Sequence, residues 1–278
     1  MTGDREQLRA APIGVFDSGV GGLTVAREIM RQIPNEKIVY FGDTARVPYG
    51  SKSRDTVTRY SRQIVRFLQA QEVKAIVVAC NTASAYALDE LEKEIDIPIL
   101  GVVKPGAKVA AEATKNGKIG VIGTEGTINS RIYTTYIKQI NESFNVIGKA
   151  CPLFVPLVEE GLLKDPVTDE IAMRYLSELI DLDIDTLILG CTHYPLIRST
   201  VGKVVGDQVT LVNPAYETAR ELKEMLKAEE LLNQNEMGLG ENKYRFFVSD
   251  GAEKFKQFAT SILKYGILSA KTVNIEDY

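Results

Sequence analysis

The chain has 278 residues, of which 45% are hydrophobic and 25% are charged, and its formal net charge is −4 at pH 7. This length and composition predict a folded protein with one large or two smaller domains. The acidic balance gives no reason to expect nucleic acid or an anionic membrane as a partner, and no run of about 18 apolar residues indicates a membrane span.

Cysteine and histidine are scarce. The N-terminal segment MTGDREQLRA lacks an apolar signal sequence and is interpreted as a polar extension, so we expect the protein to be cytoplasmic. Three cysteines are too few for a disulfide framework in a chain of this length, and they do not cluster at zinc spacing. His193 is the only histidine, which excludes a metal site built from several histidines. The sequence therefore predicts free thiols and no metal.

Short runs rich in valine and isoleucine alternate with longer stretches of helical periodicity along the chain. Nearly continuous apolar runs are typical of parallel strands that are buried on both faces of a sheet. The alternation predicts βαβ units and an α/β fold. The predicted strands are 13–17, 37–43, 75–80, 97–103, 118–123, 186–191, 209–213 and 245–249. The clearest helical stripes lie within 57–68, 171–180, 219–226 and 255–262.

A weak internal repeat divides the chain into two halves. The segment IGVFDSGVGG, which begins at Ile13, resembles IGVIGTEGTI, which begins at Ile119. A strand ending in cysteine follows each segment at a similar distance, at Cys80 and at Cys191. Ligands of open α/β sheets bind beyond the carboxyl ends of the strands. We therefore predict two similar α/β domains with mainly parallel sheets, related by pseudo-twofold symmetry, with the active site in the cleft between them.

The two strand-end cysteines lie in similar contexts, VVACNTASA and LILGCTHYP. Two thiols on opposite sides of one ligand suit a two-base proton transfer, in which one removes a proton from carbon and the other returns a proton on the opposite face. Such inversion needs no cofactor in principle, but it needs a dry, polar pocket. His193 is close enough in sequence to orient Cys191, and Asp17 is a candidate for the same role at Cys80.

The loop after the first strand is a candidate binding segment. Asp17 and Ser18 precede Gly19, Gly21 and Gly22. A glycine-rich turn between a strand and a helix has free backbone N–H groups, so we expect it to bind a carboxylate of the ligand.

Each candidate also has a structural interpretation. A lone cysteine is often a small buried hydrophobic residue, and this interpretation is kept for Cys151, which lacks a polar context. Asp17 is alternatively a helix N-cap, and Glu159 and Glu160 are alternatively part of a solvated helix face. His193 is alternatively an ordinary core or surface histidine, and the Tyr49-Gly50 pair is alternatively an ordinary turn. The paired contexts of Cys80 and Cys191 favour a functional role for these two thiols.

In ordered blocks the chain resembles the cofactor-independent aspartate/glutamate racemase superfamily, and within it the glutamate racemases. The blocks span roughly residues 12 to 197 and are IGVFDSGVGGLTV, GDTARVPYG, VVACNTASA, GVIGTEGT, CPLFVPLVEEG and GCTHYPL, and the later segment FFVSDGAEKF also fits. The resemblance implies a cofactor-free isomerase that interconverts L- and D-glutamate and supplies D-glutamate for peptidoglycan. It also implies a homodimer, with a first domain formed by 1–103 plus 213–278 and a second formed by 104–212.

The resemblance also assigns roles to residues. It implies that Cys80 handles the α-proton of D-glutamate and Cys191 that of L-glutamate, with Asp17, His193 and Glu159 as supporting acid/base groups. The substrate-binding residues that it implies are Asp17, Ser18, Pro48, Tyr49, Gly50, Asn81, Thr82, Thr124, Thr127 and Thr192.

One segment departs from the family pattern, and three other functions stay open. NPAYET at 213–218 stands where a segment such as DSGAET is expected, which bears on the domain crossover and on dimer contacts. An aspartate racemase would share the same motifs. A thiol hydrolase using Cys191 and His193 would leave Cys80 idle, and a binding module would hold glutamate without inverting it.

Overall fold

The computed structural model describes residues 2–235, 243–263 and 269–278. Within them the strands are β1 Ile13–Asp17, β2 Ile38–Gly42, β3 Ala75–Val78, β4 Ile99–Gly101, β5 Lys118–Gly123, β6 Asn145–Ala150, β7 Thr186–Gly190, β8 Thr210–Val212, β9 Tyr244–Val248 and β10 Ala270–Thr272. Strands in the order β10-β9-β2-β1-β3-β4 form the first sheet, and strands in the order β6-β5-β7-β8 form the second sheet. Every neighbouring pair is parallel, so the predicted α/β fold with parallel sheets is confirmed.

The described helices connect and flank these strands. They are α1 Thr2–Ala10, α2 Leu23–Gln32, α3 Arg54–Gln69, α4 Asn81–Tyr86, α5 Leu88–Glu94, α6 Val103–Ala113, α7 Glu125–Asn129, α8 Ile132–Ile140, α9 Phe154–Glu159, α10 Pro166–Asp181, α11 Arg198–Val205, α12 Pro214–Ala228 and α13 Ala252–Ile262. Short 3₁₀ helices lie at Tyr49–Ser51, Tyr194–Ile197 and Ile275–Asp277. Among the described helices, none has the length and apolar character needed to cross a bilayer.

Both faces of each sheet are covered by a hydrophobic core. In β1 the side chains of Val15 and Phe16 point to opposite faces, and they belong to two different core clusters. In β7, Ile188 and Leu189 are divided in the same way between two further clusters. Burial on both faces explains why these strands are apolar at every position rather than at alternate positions.

The second sheet repeats the topology of the first. β1 lies between β2 and β3, with β4 beyond β3, and β5 lies between β6 and β7, with β8 beyond β7. β3 and β7 therefore occupy equivalent positions. Cys80 follows β3 after one residue, and Cys191 follows β7 directly. This equivalence agrees with the internal repeat in the sequence.

The end of the described chain returns to the first sheet. After β8 the chain enters α12, which packs against α2 and α6, and then adds β9 and β10 beside β2. The predicted domain boundaries fall at the first residue of α6 and directly before α12. The exact division into 1–103 plus 213–278 and 104–212 stays a prediction.

All eight predicted strands are present, but two further strands were not predicted. β6 and β10 lie at sheet edges and are largely exposed or half-buried, so they lack the continuous apolar sequence that marks a central strand. The N-terminal segment, predicted to be a polar extension, forms helix α1. Residues 5–8 of α1 are exposed and residues 9–10 are half-buried, so this part of its sequence carries a weak signal.

The NPAYET segment begins a helix. Asn213 is the N-cap of α12, and its side chain accepts a hydrogen bond from the backbone N–H of Ala215 at 3.1 Å. Pro214 occupies the first helical position, where its missing N–H is harmless. The side chain of Gln32 in α2 donates to the carbonyl of Tyr216 at 3.0 Å. The 213–218 segment, which departs from the family pattern, therefore makes hydrogen bonds within this chain.

A buried ion pair lies at the end of the first sheet remote from the cysteines. Lys74 precedes β3, and its Nζ is 2.5 Å from Oε2 of Glu36, with both side chains almost fully buried. Nζ also donates to the carbonyls of Arg9 and Leu231 at 2.5 and 2.9 Å. Burial lowers the pKa of Lys74 and raises the pKa of Glu36, since for each group desolvation outweighs the attraction of the partner. The pair ties α1 and the segment after α12 to the sheet.

Removing one partner of this pair is expected to destabilise the fold. Lys74→Met leaves the Glu36 carboxylate buried without its cation, and the free energy of unfolding should fall by about 3 kcal/mol or more in urea titrations. The matched control is Lys104→Met, because Lys104 forms a 3.7 Å pair with Glu92 in which both side chains are exposed. That change should alter stability by less than about 1 kcal/mol. Equal losses in the two variants would contradict the structural role of the buried pair.

Candidate active site

One cavity of about 440 Å³ lies beyond the carboxyl ends of β3 and β7, between the two sheets. Both strand-end cysteines line it, as the internal repeat led us to expect. The predicted residues that line it are Ser18, Pro48, Tyr49, Gly50, Cys80, Asn81, Thr82, Thr124, Glu159, Cys191, Thr192 and His193. Asp17 and Thr127 do not line the cavity but lie behind its wall, in contact with Thr192 and with Thr82.

Sequence reasoning missed part of the wall. The additional lining residues are Val47, Ser51, Glu125, Pro152, Val155, Pro156 and Gly190. Most of them lie within the quoted motifs. Val47, Pro152, Val155 and Pro156 have apolar side chains, which carry no chemical signal that separates a cavity wall from a core. An apolar wall strengthens electrostatic interactions inside the cavity.

Cys191, His193 and Glu159 form a chain of polar contacts. The Cys191 Sγ lies 3.8 Å from Nδ1 of His193, and Nε2 of His193 lies 3.0 Å from Oε1 of Glu159. Glu159 ends the short helix α9, and His193 lies in the turn after β7. The contact therefore connects two loops beside the second sheet, and it orients the imidazole from both nitrogens.

This chain of contacts determines the charge of His193. Burial by itself lowers the pKa of His193, but the hydrogen bonds to Cys191 and Glu159 and the charges of Cys191 and Asp17 outweigh burial and raise the pKa to about 10. The hydrogen bond from His193 in turn lowers the pKa of Glu159. At neutral pH the pair is therefore an imidazolium and a carboxylate, with the cation beside Cys191.

Cys80 has a different environment. Its thiol donates to Oγ of Ser18 at 3.8 Å, and no imidazole contacts it among the described residues. Burial, followed by the negative charge of Asp17, raises the pKa of Cys80 to about 12. Cys80 is therefore a thiol at neutral pH.

The glycine loop binds a side chain of the protein itself. The backbone N–H of Gly19 donates to Oδ2 of Asp17 at 3.0 Å, and the N–H groups of Ser18 and Gly22 also stabilise this carboxylate. We expected these N–H groups to be free for a carboxylate of the ligand, and that expectation is wrong, because Asp17 already accepts from them. Asp17 is fully buried, and burial raises its pKa, whereas His193 and these N–H groups oppose the rise.

The end of β1 and the start of α2 contact the turn after β7. Oγ1 of Thr24 donates to the carbonyl of Thr192 at 3.0 Å, and Oγ1 of Thr192 lies 3.5 Å from Oδ1 of Asp17. Gly21 permits this approach, because a Cβ at this position would clash with the Thr192 hydroxyl and with the ring of His193. α2 begins at Leu23 with no side-chain cap, so Asp17 is not the N-cap of this helix.

Three hydroxyl groups connect the sheets on the opposite side of the cavity. Oγ1 of Thr82, in α4, lies 2.9 Å from Oγ1 of Thr124 and 3.2 Å from Oγ1 of Thr127. Thr124 caps α7 by accepting from the N–H of Thr127. The residues that follow Cys80 are thereby hydrogen-bonded to the loop after β5.

The tyrosine hydroxyl in the loop after β2 is already bonded within the protein. Tyr49 lines the cavity, but its buried hydroxyl donates to Asp43. Asp43 also accepts from Arg46 at 2.7 Å and from Ser249 at 2.8 Å. Burial, reinforced by Asp43, raises the pKa of Tyr49 well above its usual value, so the phenol stays protonated. These contacts hold Gly50 in place at the rim.

Within the residues that the structure describes, no cluster of three or more histidine, cysteine, aspartate or glutamate side chains is arranged to hold a metal ion. The polar groups at the cavity are thiols, an imidazole, carboxylates, an amide and hydroxyl groups.

Comparisons with known proteins converge on one family. The family model described as Asp/Glu/Hydantoin racemase matches residues 13–222. A curated glutamate racemase from Geobacter metallireducens is 53% identical over 239 residues, which cover 86% of this chain and 87% of that protein. The crystal structure of glutamate racemase isoform RacE1 from Bacillus anthracis has a TM-score of 0.91 and 43% identity, covering 95% of this chain and 98% of that chain. The glutamate racemase from Francisella tularensis, in complex with D-glutamate, has a TM-score of 0.90 and 39% identity, covering 97% and 100%.

The charge of His193 can be measured directly, because it is the only histidine in the chain. NMR of protein labelled with ¹⁵N-histidine should show a single imidazolium at pH 7 that titrates with a pKa of about 10. Glu159→Gln removes the negative acceptor, so the pKa of His193 should fall. The raised pKa also stabilises the fold: this contribution is complete below the unfolded pKa of 6.5 and is lost as the pH rises through about 10.

Glu160→Gln is the matched control, because Glu160 is the exposed neighbour of Glu159 and makes no contact with His193. It should leave the His193 titration unchanged. A neutral His193 at pH 7 in the unmodified protein would contradict the ion pair.

Proposed function

The chain belongs to the Asp/Glu/hydantoin racemase family and is an isomerase, and we propose that it interconverts L- and D-glutamate by moving the α-proton between Cys80 and Cys191. One observation carries this proposal: two thiols at the ends of equivalent strands line the same cavity. A hydrolase would need only the Cys191-His193 pair, and a binding module would need neither thiol.

The protonation states of His193 and Cys80 suit different roles for the two cysteines. In the proposed L-to-D direction, the Cys191 thiolate bonds to the α-proton as the C–H bond breaks, and the electron pair left on carbon takes the proton of the Cys80 thiol on the opposite face. The imidazolium of His193 lies beside Sγ of Cys191, so a positive charge faces the sulfur that takes the proton. Because its pKa is raised, Cys80 stays protonated until it transfers its proton to the carbanion. The D-to-L direction uses the same steps in reverse.

The neighbouring residues support these roles in the proposal. Glu159 holds the charge and orientation of His193, and the Asp17 carboxyl contributes to the raised pKa of the Cys80 thiol. Ser18, Asn81, Thr82, Thr124 and Thr192 provide hydrogen-bonding groups at the cavity, with the backbone around Pro48 and Gly50 at its rim. No step needs an electron acceptor or a cofactor, because both proton transfers use side chains of this chain.

Glutamate is proposed as the substrate on the basis of similarity. Relatives with high identity over most of the chain are named glutamate racemases, and one of the similar structures holds D-glutamate. We extend the proposal to a supply of D-glutamate for peptidoglycan in the cytoplasm, and to a homodimer. Both thiols must stay reduced to act as bases, which a reducing compartment favours.

Turnover in deuterated water tests the reaction. With L-glutamate, reduced protein and no added cofactor, deuterium should enter the α-position as D-glutamate accumulates. L-Aspartate is one methylene shorter and should react about 10- to 200-fold more slowly. Chiral chromatography and mass spectrometry measure both results. If glutamate shows no exchange, the proposed function is wrong. If aspartate turns over faster than glutamate, aspartate replaces glutamate as the proposed substrate.

Substitution of each thiol tests the two-base assignment. Cys80→Ser and Cys191→Ser should each lower racemisation by about two to four orders of magnitude, because each face of the carbon needs its own base. Cys80→Ser should still exchange the α-proton of L-glutamate without inversion, and Cys191→Ser that of D-glutamate. Cys151→Ala is the control: Cys151 is buried outside the cavity and should be dispensable for turnover. Full activity in either serine variant contradicts the assignment.

A further inference from the structure

We propose that Tyr133 is a positioning residue that holds the Asn81 amide so that its NH₂ group faces the substrate beside Cys80. This inference rests on the proposed function, and it concerns a residue that does not line the cavity. Tyr133 lies in α8 beside the second sheet, whereas Asn81 is the first residue of α4 beside the first sheet.

The contact between them is direct and buried. The Tyr133 hydroxyl donates to Oδ1 of Asn81 at 2.7 Å, and the exposed fractions of the two residues are 3% and 5%. Burial raises the pKa of Tyr133, so its phenol is protonated at neutral pH. The phenol therefore has a proton to donate, and the Asn81 carbonyl is its acceptor.

Tyr133 also touches the strand that leads to the other thiol. A Cβ on Gly190 would lie 3.2 Å from Cε2 of Tyr133 and 2.6 Å from the carbonyl oxygen of Ile122. Glycine at this position lets the ring pack against β7 directly before Cys191. One side chain thus contacts the residue that follows Cys80 and the residue that precedes Cys191.

The hydrogen bond from Tyr133 to Oδ1 of Asn81 determines which part of the amide faces the cavity. A primary amide offers one acceptor oxygen and two N–H donors, and its terminal torsion has two nearly equal orientations when nothing selects between them. With Oδ1 bound to Tyr133, the NH₂ group is the part left for a ligand in the cavity. A donor there suits a carboxylate of glutamate, whereas the flipped amide would set its oxygen against that carboxylate.

Tyr133→Phe tests the inference with little loss of packing, because the ring remains against Gly190. We expect kcat/KM to fall about tenfold, which is typical of losing one orienting hydrogen bond. The fall should be equal for L- and D-glutamate, because a catalyst cannot change the equilibrium between them. Tyr136→Phe is the matched control: it lies one turn along α8, its half-buried ring packs near Lys104, and it is outside the cavity. It should leave kcat/KM unchanged.

A double-mutant cycle separates positioning from a merely structural role. In an Asn81→Ala background, Tyr133→Phe should change kcat/KM by less than about twofold, because the group through which it acts is absent. If Asn81→Ala is too slow to assay, the glutamate dissociation constants of the four proteins, measured by calorimetry, replace kcat/KM in the cycle. Thermal unfolding of all four proteins checks that each is folded.

The outcomes separate the two proposals. If the unmodified protein racemises glutamate but the two substitutions are additive, Tyr133 is structural and this inference is overturned while the proposed function stands. If the unmodified protein neither racemises nor binds glutamate, the proposed function fails and this inference fails with it.

Discussion

The carboxyl ends of β3 and β7 are held against each other by hydrogen bonds that cross from one sheet to the other. On one side, Thr24 donates to the carbonyl of Thr192, and on the other Thr82 bonds to Thr124. Each sheet has its own cores on both faces, and Leu196 and Phe258 pack against one core of each sheet. These contacts hold two thiols from separate sheets at one cavity. Proton transfer depends on such fixed positions, since small displacements of the reacting groups lower its rate.

Equivalent positions in the two sheets have acquired different electrostatic environments. Cys191 lies beside an imidazolium whose charge is maintained by Glu159, whereas Cys80 lies beside a serine hydroxyl with the Asp17 charge behind it. The topology is repeated, but the charges are not. A repeated fold therefore gives the two faces of a bound molecule different partners, and the proposed chemistry uses this difference to keep one thiol protonated while the other acts as the base.

The central strands and the paired cysteines could be predicted because their signals are local. A strand buried on both faces must be apolar throughout, and a strand that ends at a site places its polar residues directly after the apolar run. The edge strands β6 and β10 escaped prediction because exposure removes that constraint. The glycine loop was misjudged for a related reason: its N–H groups looked free in sequence, but the Asp17 carboxylate folds back onto them. Tyr133 carried no local signal, because its partner Asn81 is 52 positions away.

The order of residues along the chain was therefore sufficient to determine the fold class, the two thiols and their similar settings, since each depends on a few neighbouring residues. Folding in three dimensions decided which charges surround each thiol, which donors are already satisfied and which side chains join the sheets. These properties depend on contacts between distant segments, and a hydrogen bond between them exists only once both strands are in place. For Cys80 and Cys191, the sequence was sufficient to identify the pair, but only packing gave the two thiols different electrostatic environments.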